Sequence, residues 1–319
     1  MKKIILATLA AASLVACAKE NILIAPKGEA IAFDNAFVDN TTKAIDPSIT
    51  TNSLGSFLVY GTTQGNEQNA PVINIFNGVE VTGTVATSWT YDSSYTQYWI
   101  DRNTYKFAAV VNGTVTDADL DENGMPKTIQ YDAESDKDLL YAVNETYAPY
   151  KKDVSSKTVA FTFNHLLSKV KFTFKNESPV GGYNYVVKDL KIEGVGKEAV
   201  YNVVSNSWGI VNNTTTTAEF GHIALASAIA PKTSGESDYE RLVVPQDYTA
   251  LTVSCRIATM INGKEADVEN YSKTVSVNLE GGNAYNFVLS RELNDKIQFS
   301  VVKVDEWVEN PAQYTENNN

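Results

Sequence analysis

Apolar and polar residues alternate with a period of two along most of this chain. Val159, Phe161 and Phe163 form one such series; Val170, Phe172 and Phe174 form the next, set against Lys169, Lys171, Thr173 and Lys175. Leu251, Val253, Cys255 and Ile257 share a face further on, as do Val275, Val277 and Leu279. Successive side chains of a strand point to opposite faces, so this period marks half-buried β-strands. β-Branched and aromatic residues are abundant, and no long stretch shows the recurrence of an amphipathic helix. Asn77-Gly78, Asn112-Gly113 and Asn262-Gly263 sit between apolar runs. Both residue types tolerate positive φ, so each pair predicts a hairpin turn. Hairpins imply antiparallel sheets, and one apolar face per strand implies two sheets packed face to face. The expected fold class is all-β.

A chain of 319 residues exceeds what one core usually serves. Polar and charged residues at 148–157 interrupt two strand-like runs and mark the expected boundary. The division is then a removable leader at 1–16, an N-terminal β-sandwich at 17–154 and a C-terminal β-sandwich at 155–319. Each half has room for about seven short strands, the usual content of one sandwich. The segments 62–66 and 212–217 read as surface loops, and the tail 316–319 as frayed.

Lys2 and Lys3 precede an apolar run from Ile4 to Ala12, followed by Leu14-Val15-Ala16-Cys17. That order is a secretory signal peptide, and the run is about half the ~20 apolar residues of a spanning helix. Small residues ahead of a cysteine resemble the bacterial lipobox, which implies cleavage between Ala16 and Cys17 and acylation of Cys17. The plain alternative is an ordinary signal peptide with a chance cysteine. Acyl chains at about 0.8 kcal/mol per buried methylene hold a protein firmly to a bilayer. Export on a lipid tether makes the lipoprotein-processing machinery one partner, and the outer membrane or cell surface the expected location.

Loss of Lys2 and Lys3 takes the net charge from −12 to −14. An acidic chain without a basic cluster lacks the patch that a phosphate backbone requires, so nucleic acid is not expected as a partner. With Cys17 acylated, Cys255 has no intramolecular disulfide partner. It falls on the apolar face of a strand, as a small buried hydrophobe does. His165 and His222 lack metal-site spacing and read as structural; no cofactor is expected. No nucleophile elbow or phosphate-cradling glycine loop occurs.

Asp119, Asp121 and Asn123 followed by Gly124 match the first half of a calcium loop. The twelfth position is Gln130, a neutral amide, and no helical pattern flanks the loop, so an acidic β-turn is the competing reading. Tyr91, Tyr95, Tyr98 and Trp99 form the densest aromatic group. Exposed, they could stack on sugars; buried, they are core or cross-strand pairs.

The order of several motifs resembles the fimbrillin-like lipoproteins that build type V pili in Bacteroidales. These are Ala32-Phe33, Thr42-Lys43-Ala44, Gly55-Ser56-Phe57-Leu58-Val59-Tyr60-Gly61, Ser88-Trp89, Tyr98-Trp99, Tyr105-Lys106-Phe107-Ala108-Ala109 and Asp138-Leu139-Leu140-Tyr141-Ala142. Phe161 to Val170 is the most specific run, and Val304-Asp305-Glu306-Trp307 resembles the family's C-terminal strand. The resemblance implies two transthyretin-like antiparallel β-sandwich domains in tandem and a non-enzymatic pilus subunit, whether shaft, tip or anchor, that contributes to adhesion. It further implies donor-strand exchange, triggered when a trypsin-like maturation protease cuts after a basic residue near the N-terminus. Here that residue is Lys43, with Ala44 the new terminus, whereas the family usually has arginine. The strand removed would include Ile31 and Phe33, and the candidate donor is Ile297 to Trp307. Partners would be other pilus subunits and a host or bacterial surface ligand. Two further classes stay open. A surface glycan-binding lipoprotein would need a row of solvent-facing Trp or Tyr. A glycosidase would need two carboxylates within ~10 Å facing one cleft.

Overall fold

The computed structural model describes residues 29–38, 49–50, 52–146, 151, 158–292 and 296–304. Within them the strands are, in chain order, β1 (Ala32–Val38), β2 (Ser56–Gln64), β3 (Val72–Thr82), β4 (Thr104–Val111), β5 (Thr128–Asp132), β6 (Leu140–Thr146), β7 (Thr158–His165), β8 (Ser168–Asn176) and β9 (Asn184–Gly196). They continue with β10 (Glu198–Asn202), β11 (Ser207–Ile210), β12 (Thr215–Ile223), β13 (Thr233–Glu236), β14 (Arg241–Val243), β15 (Gln246–Ile261), β16 (Lys264–Leu279), β17 (Ala284–Arg291) and β18 (Ile297–Val304). Helical structure among the described residues is confined to three-residue 3-10 turns. The all-β expectation holds.

The first sheet has the order β1-β7-β6-β4-β2-β3. Its inner face carries Phe33, Phe57, Phe76, Phe107, Phe161 and Phe163, and Trp89 and Trp99 from the β3–β4 connection close over them. β7 shows the alternation in its cleanest form: Val159, Phe161 and Phe163 are buried while Ala160, Thr162 and Asn164 are exposed. A second core lies between the sheets β12-β9-β15-β16 and β13-β8-β17-β18. Val170, Phe172 and Phe174 of β8 point into it, as do Val253, Cys255 and Ile257 of β15. A third core gathers Tyr60 and Val110 from the back of the first sheet with Leu166, Leu167, Ile129 and Tyr201. Over it lies a small sheet, β11-β10-β5, whose strands come from both halves of the sequence.

The pairing of the first sheet runs past the 154/155 boundary expected from composition. β7 lies beyond that point yet pairs with β1 and β6, so the change of sheet falls between His165 and Ser168. The strands on either side of residues 148–157, β6 and β7, belong to the same sheet.

Of the three Asn-Gly pairs, one makes a hairpin turn: Asn262 (φ 51°) and Gly263 (φ 75°) join β15 to β16. Asn77 and Gly78 lie inside β3, where the register against β2 shifts and Gly78 (φ 66°) forms a bulge beside the Tyr60 ring. Asn112 follows β4, and its side-chain amide donates to the Asp138 carbonyl. Two expected loops are strands: Thr62 and Thr63 are buried in β2, and Thr215 to Thr217 pair with β9.

Candidate functional site

β1 is an edge strand that supplies the middle of a core. It pairs parallel with β7, Phe33 opposite Val159 and Val38 opposite Phe163, with one extra residue taken up between Asp34 and Phe37. Ile31, Phe33, Ala36 and Val38 are all buried while Asp34 is exposed. The Phe33 ring touches five others: Phe57 at 6.5 Å, Phe76 at 5.5 Å, Tyr91 at 5.7 Å, Phe107 at 6.2 Å and Phe161 at 6.0 Å between centroids.

The segment entering β1 is held on its other side by the β3–β4 connection. The Ile31 N–H donates to the Gln97 carbonyl at 2.8 Å, the Trp99 N–H to Glu29 at 2.9 Å, and the Tyr91 hydroxyl to the Ile31 carbonyl at 2.6 Å. The aromatic group singled out in the sequence is therefore spent largely on structure. Trp99 is buried against Tyr105 at 4.6 Å, and Tyr91 closes over Phe33 and Phe76. Tyr95 alone of the four is well exposed. Among the described residues the other exposed tyrosines, Tyr183 and Tyr239, lie in separate connections far from it in sequence, and Trp89, Trp99 and Trp208 are buried or partly buried.

A polar anchor holds the chain at Ile49, ahead of β2. The Ile49 N–H donates to Asp138 Oδ2 at 2.8 Å, and His165 Nδ1 lies 2.7 Å from the same oxygen. Both side chains are almost wholly buried. His165 is thus a structural residue at the end of β7, and Asp138 is a partner that sequence reasoning passed over; 27 residues separate them, so no local motif signals the pair. His222 is remote from it, accepting the Asp189 N–H.

The carboxylate of Asp119 is enclosed by four donors: the N–H and hydroxyl of Thr116 and the side chains of Thr128 and Gln130. Burial opposes its charge, but these hydrogen bonds outweigh burial and hold the carboxyl below the usual aspartate value. Asp121 accepts the N–H groups of Asn123 and Met125. The segment is a turn closed on its own carboxylates, and Gln130, the poor twelfth ligand, is one of the donors. No group of three or more His, Cys, Asp or Glu arranged to hold a metal ion occurs among the described residues. Cys255 is buried, and desolvation, with Glu269 nearby, pushes its thiol up to about 12. Ala16, Cys17, Lys43 and Ala44 lie outside the described residues, as do Asp305 to Trp307.

Among curated protein sequences none matches the chain. Several solved structures share its fold. A fimbrial protein from Bacteroides vulgatus superposes with a TM-score of 0.60 at 16% identity, covering 88% of this chain and 99% of that one. A candidate cell adhesion protein from Bacteroides ovatus gives 0.53 at 14%, covering 88% and 97%, and another from Bacteroides uniformis gives 0.50 at 18%, covering 88% and 100%. A family model described as fimbrillin-like matches residues 42–307, most of the sequence. The chain belongs to the fimbrillin-like family.

Proposed function

We propose that this chain is a structural subunit of a surface fimbrium that contributes to adhesion, is exported as a lipoprotein acylated at Cys17, and polymerises when proteolysis frees β1. One observation carries the reading. β1 fills the centre of the first core yet, among the described residues, is joined to the first sheet along one edge only, and the sequence between it and β2 carries a single basic residue. Lys43 is the only lysine or arginine between Lys27 and Arg102. A trypsin-like protease acting there has one bond that severs β1 from the rest of the chain, since a cut after Lys27 would leave β1 attached.

Cleavage after Lys43 breaks no contact of β1. It removes the tether that gives the strand an effective concentration in the millimolar range. Docking then becomes dissociable, and β1 departs with the lipidated segment. The vacated β7 edge exposes unpaired N–H and C=O groups above an open aromatic groove, which favours the addition of a strand from another subunit. β18 is the donor in this scheme: an edge strand at the C-terminal end, with Ile297, Phe299 and Val301 turned toward the second core. We divide the subunit into two units that meet between His165 and Ser168, bridged by the β11-β10-β5 sheet. Other pilus subunits, the maturation protease and the lipoprotein-processing machinery are the partners, and the outer membrane and cell surface the location.

Lys43→Ala tests the reading. The variant is expected to accumulate as an acylated monomer in the membrane fraction, without surface filaments. Normal filaments from it would overturn maturation at Lys43.

A further inference from the structure

Ile31, just ahead of β1, and Phe33, Ala36 and Val38 within it are buried, and the spacings between them are two, three and two. The middle spacing is odd because the pairing with β7 takes up an extra residue between Asp34 and Phe37. A strand that replaces β1 must reproduce that phase change, for a one-residue slip turns every following side chain to the wrong face. The sequence of β18 has it: Ile297, Phe299, Val302 and Val304 fall at the same spacings, with isoleucine and phenylalanine in the same places.

This pattern does not fit the seat that β18 occupies in its own chain. There it pairs with β17 without a register shift, Ile297 opposite Arg291 through Val304 opposite Ala284. Ile297, Phe299 and Val301 face the core, and Val302 is left 50% exposed. An apolar residue on the outer face of an edge strand is unused in that arrangement. It is accounted for if the strand has a second seat in which residues after Ser300 turn over.

We propose that β18 of one copy of this chain enters the β1 seat of another in a fixed, bulged register, parallel to β7, with Ile297 replacing Ile31, Phe299 replacing Phe33 and Val302 replacing Ala36. The inference rests on the strand-exchange reading above and adds the register, the direction and the face that changes. Phe299 gains by the transfer. In its own seat it is partly buried and meets the Phe287 ring at 5.5 Å, whereas the Phe33 position is nearly closed to solvent and ringed by five aromatics. Val302 gains more, passing from half exposed to the buried Ala36 position. Its two extra methyls tighten that end of the groove. Val301 moves the other way, from the second core to the outer face.

Two single variants of the full chain read the switch. Val302→Asp is expected to melt like the wild type, because the residue is half exposed in the monomer, and to form no filaments. Val301→Asp is expected to lower the melting temperature while its folded fraction still polymerises. Filaments from Val302→Asp at the wild-type level would overturn the register. Should Val301→Asp fail to fold, a cysteine pair supplies the second readout. Asp34 lies opposite Ala160, so Ser300→Cys with Ala160→Cys is expected to give a ladder of intersubunit disulfides in filaments. Filaments that lose β1 but give no such ladder would overturn the register and leave strand exchange standing. Filaments that retain β1 would overturn strand exchange itself.

Discussion

Truncating Phe33 separates the precursor, which holds β1, from the filament, which has lost it. In the intact precursor this ring is nearly closed to solvent and touches five others, so Phe33→Ala removes a full aromatic contact set and leaves a cavity between the β1 and β4 sides of the core. Phenylalanine-to-alanine changes in closed cores cost about 3–5 kcal/mol. Ring pairs add about 0.5–1.5 kcal/mol beyond area alone. The precursor should therefore lose about 4 kcal/mol, read as a lower guanidinium midpoint with an unchanged slope. In the filament β1 is gone, and the same substitution should leave the dissociation midpoint where it was. Phe107→Ala is the control, because Phe107 is buried in β4 and stays in both states; it should weaken precursor and filament alike. If Phe33→Ala filaments lose as much stability as the precursor, β1 remains in place after assembly and the reasoning fails.

Three other outcomes are expected. Lys43→Arg should raise the processed fraction in cells whose maturation protease prefers arginine, measured as the ratio of precursor to mature bands on an immunoblot. Asp119→Ala should cost about 2–4 kcal/mol, because four donors lose a charged acceptor. The folded aspartate titrates below its unfolded value, so its contribution is whole above the ordinary aspartate range and is lost as pH falls through the lower folded value; the acid limb of the melting curve should be shallower in the variant. Cys255, with its thiol pushed up to about 12 by burial, should resist maleimide at neutral pH in the folded chain and react on unfolding, as followed by mass spectrometry.

Strand existence was legible where one face is buried and the other wet. Val159, Phe161 and Phe163 declare β7 because the outward neighbours are polar or small. Val170, Phe172 and Phe174 declare β8 in the same way. Pairing was not legible, because a period of two says which face is buried and nothing about the neighbour. Hence nothing local shows that β7, past the 154/155 break, pairs with β1 and β6, and β5 gives no hint of pairing with β10 across the chain. Turn chemistry misled at Asn77-Gly78, where the same φ > 0 tolerance that makes a hairpin serves a bulge within a strand. Polarity misled at Thr62 and Thr63, whose methyl and hydroxyl groups suit a buried strand flanked by two others.

At the candidate site, Ile31 and Phe33 were visible as a half-buried strand, and they lie in the core as expected. The parallel pairing of that strand, its bulge and the aromatic cage around Phe33 depend on residues up to 128 positions away and leave no local trace. The Asp138–His165 pair is hidden for the same reason. The match between β1 and β18 was open to reading from sequence only once the buried positions of β1 were known, because the extra residue between Asp34 and Phe37 disguises it as a loss of phase.

The N-terminal sequence of the chain recovered from surface filaments decides whether β1 leaves on assembly. A terminus at Ala44 is expected, with β1 absent from the filament and retained with the acylated fragment in the membrane fraction. A filament subunit that begins at Cys17, carries lipid and still contains Ile31 to Val38 would contradict it.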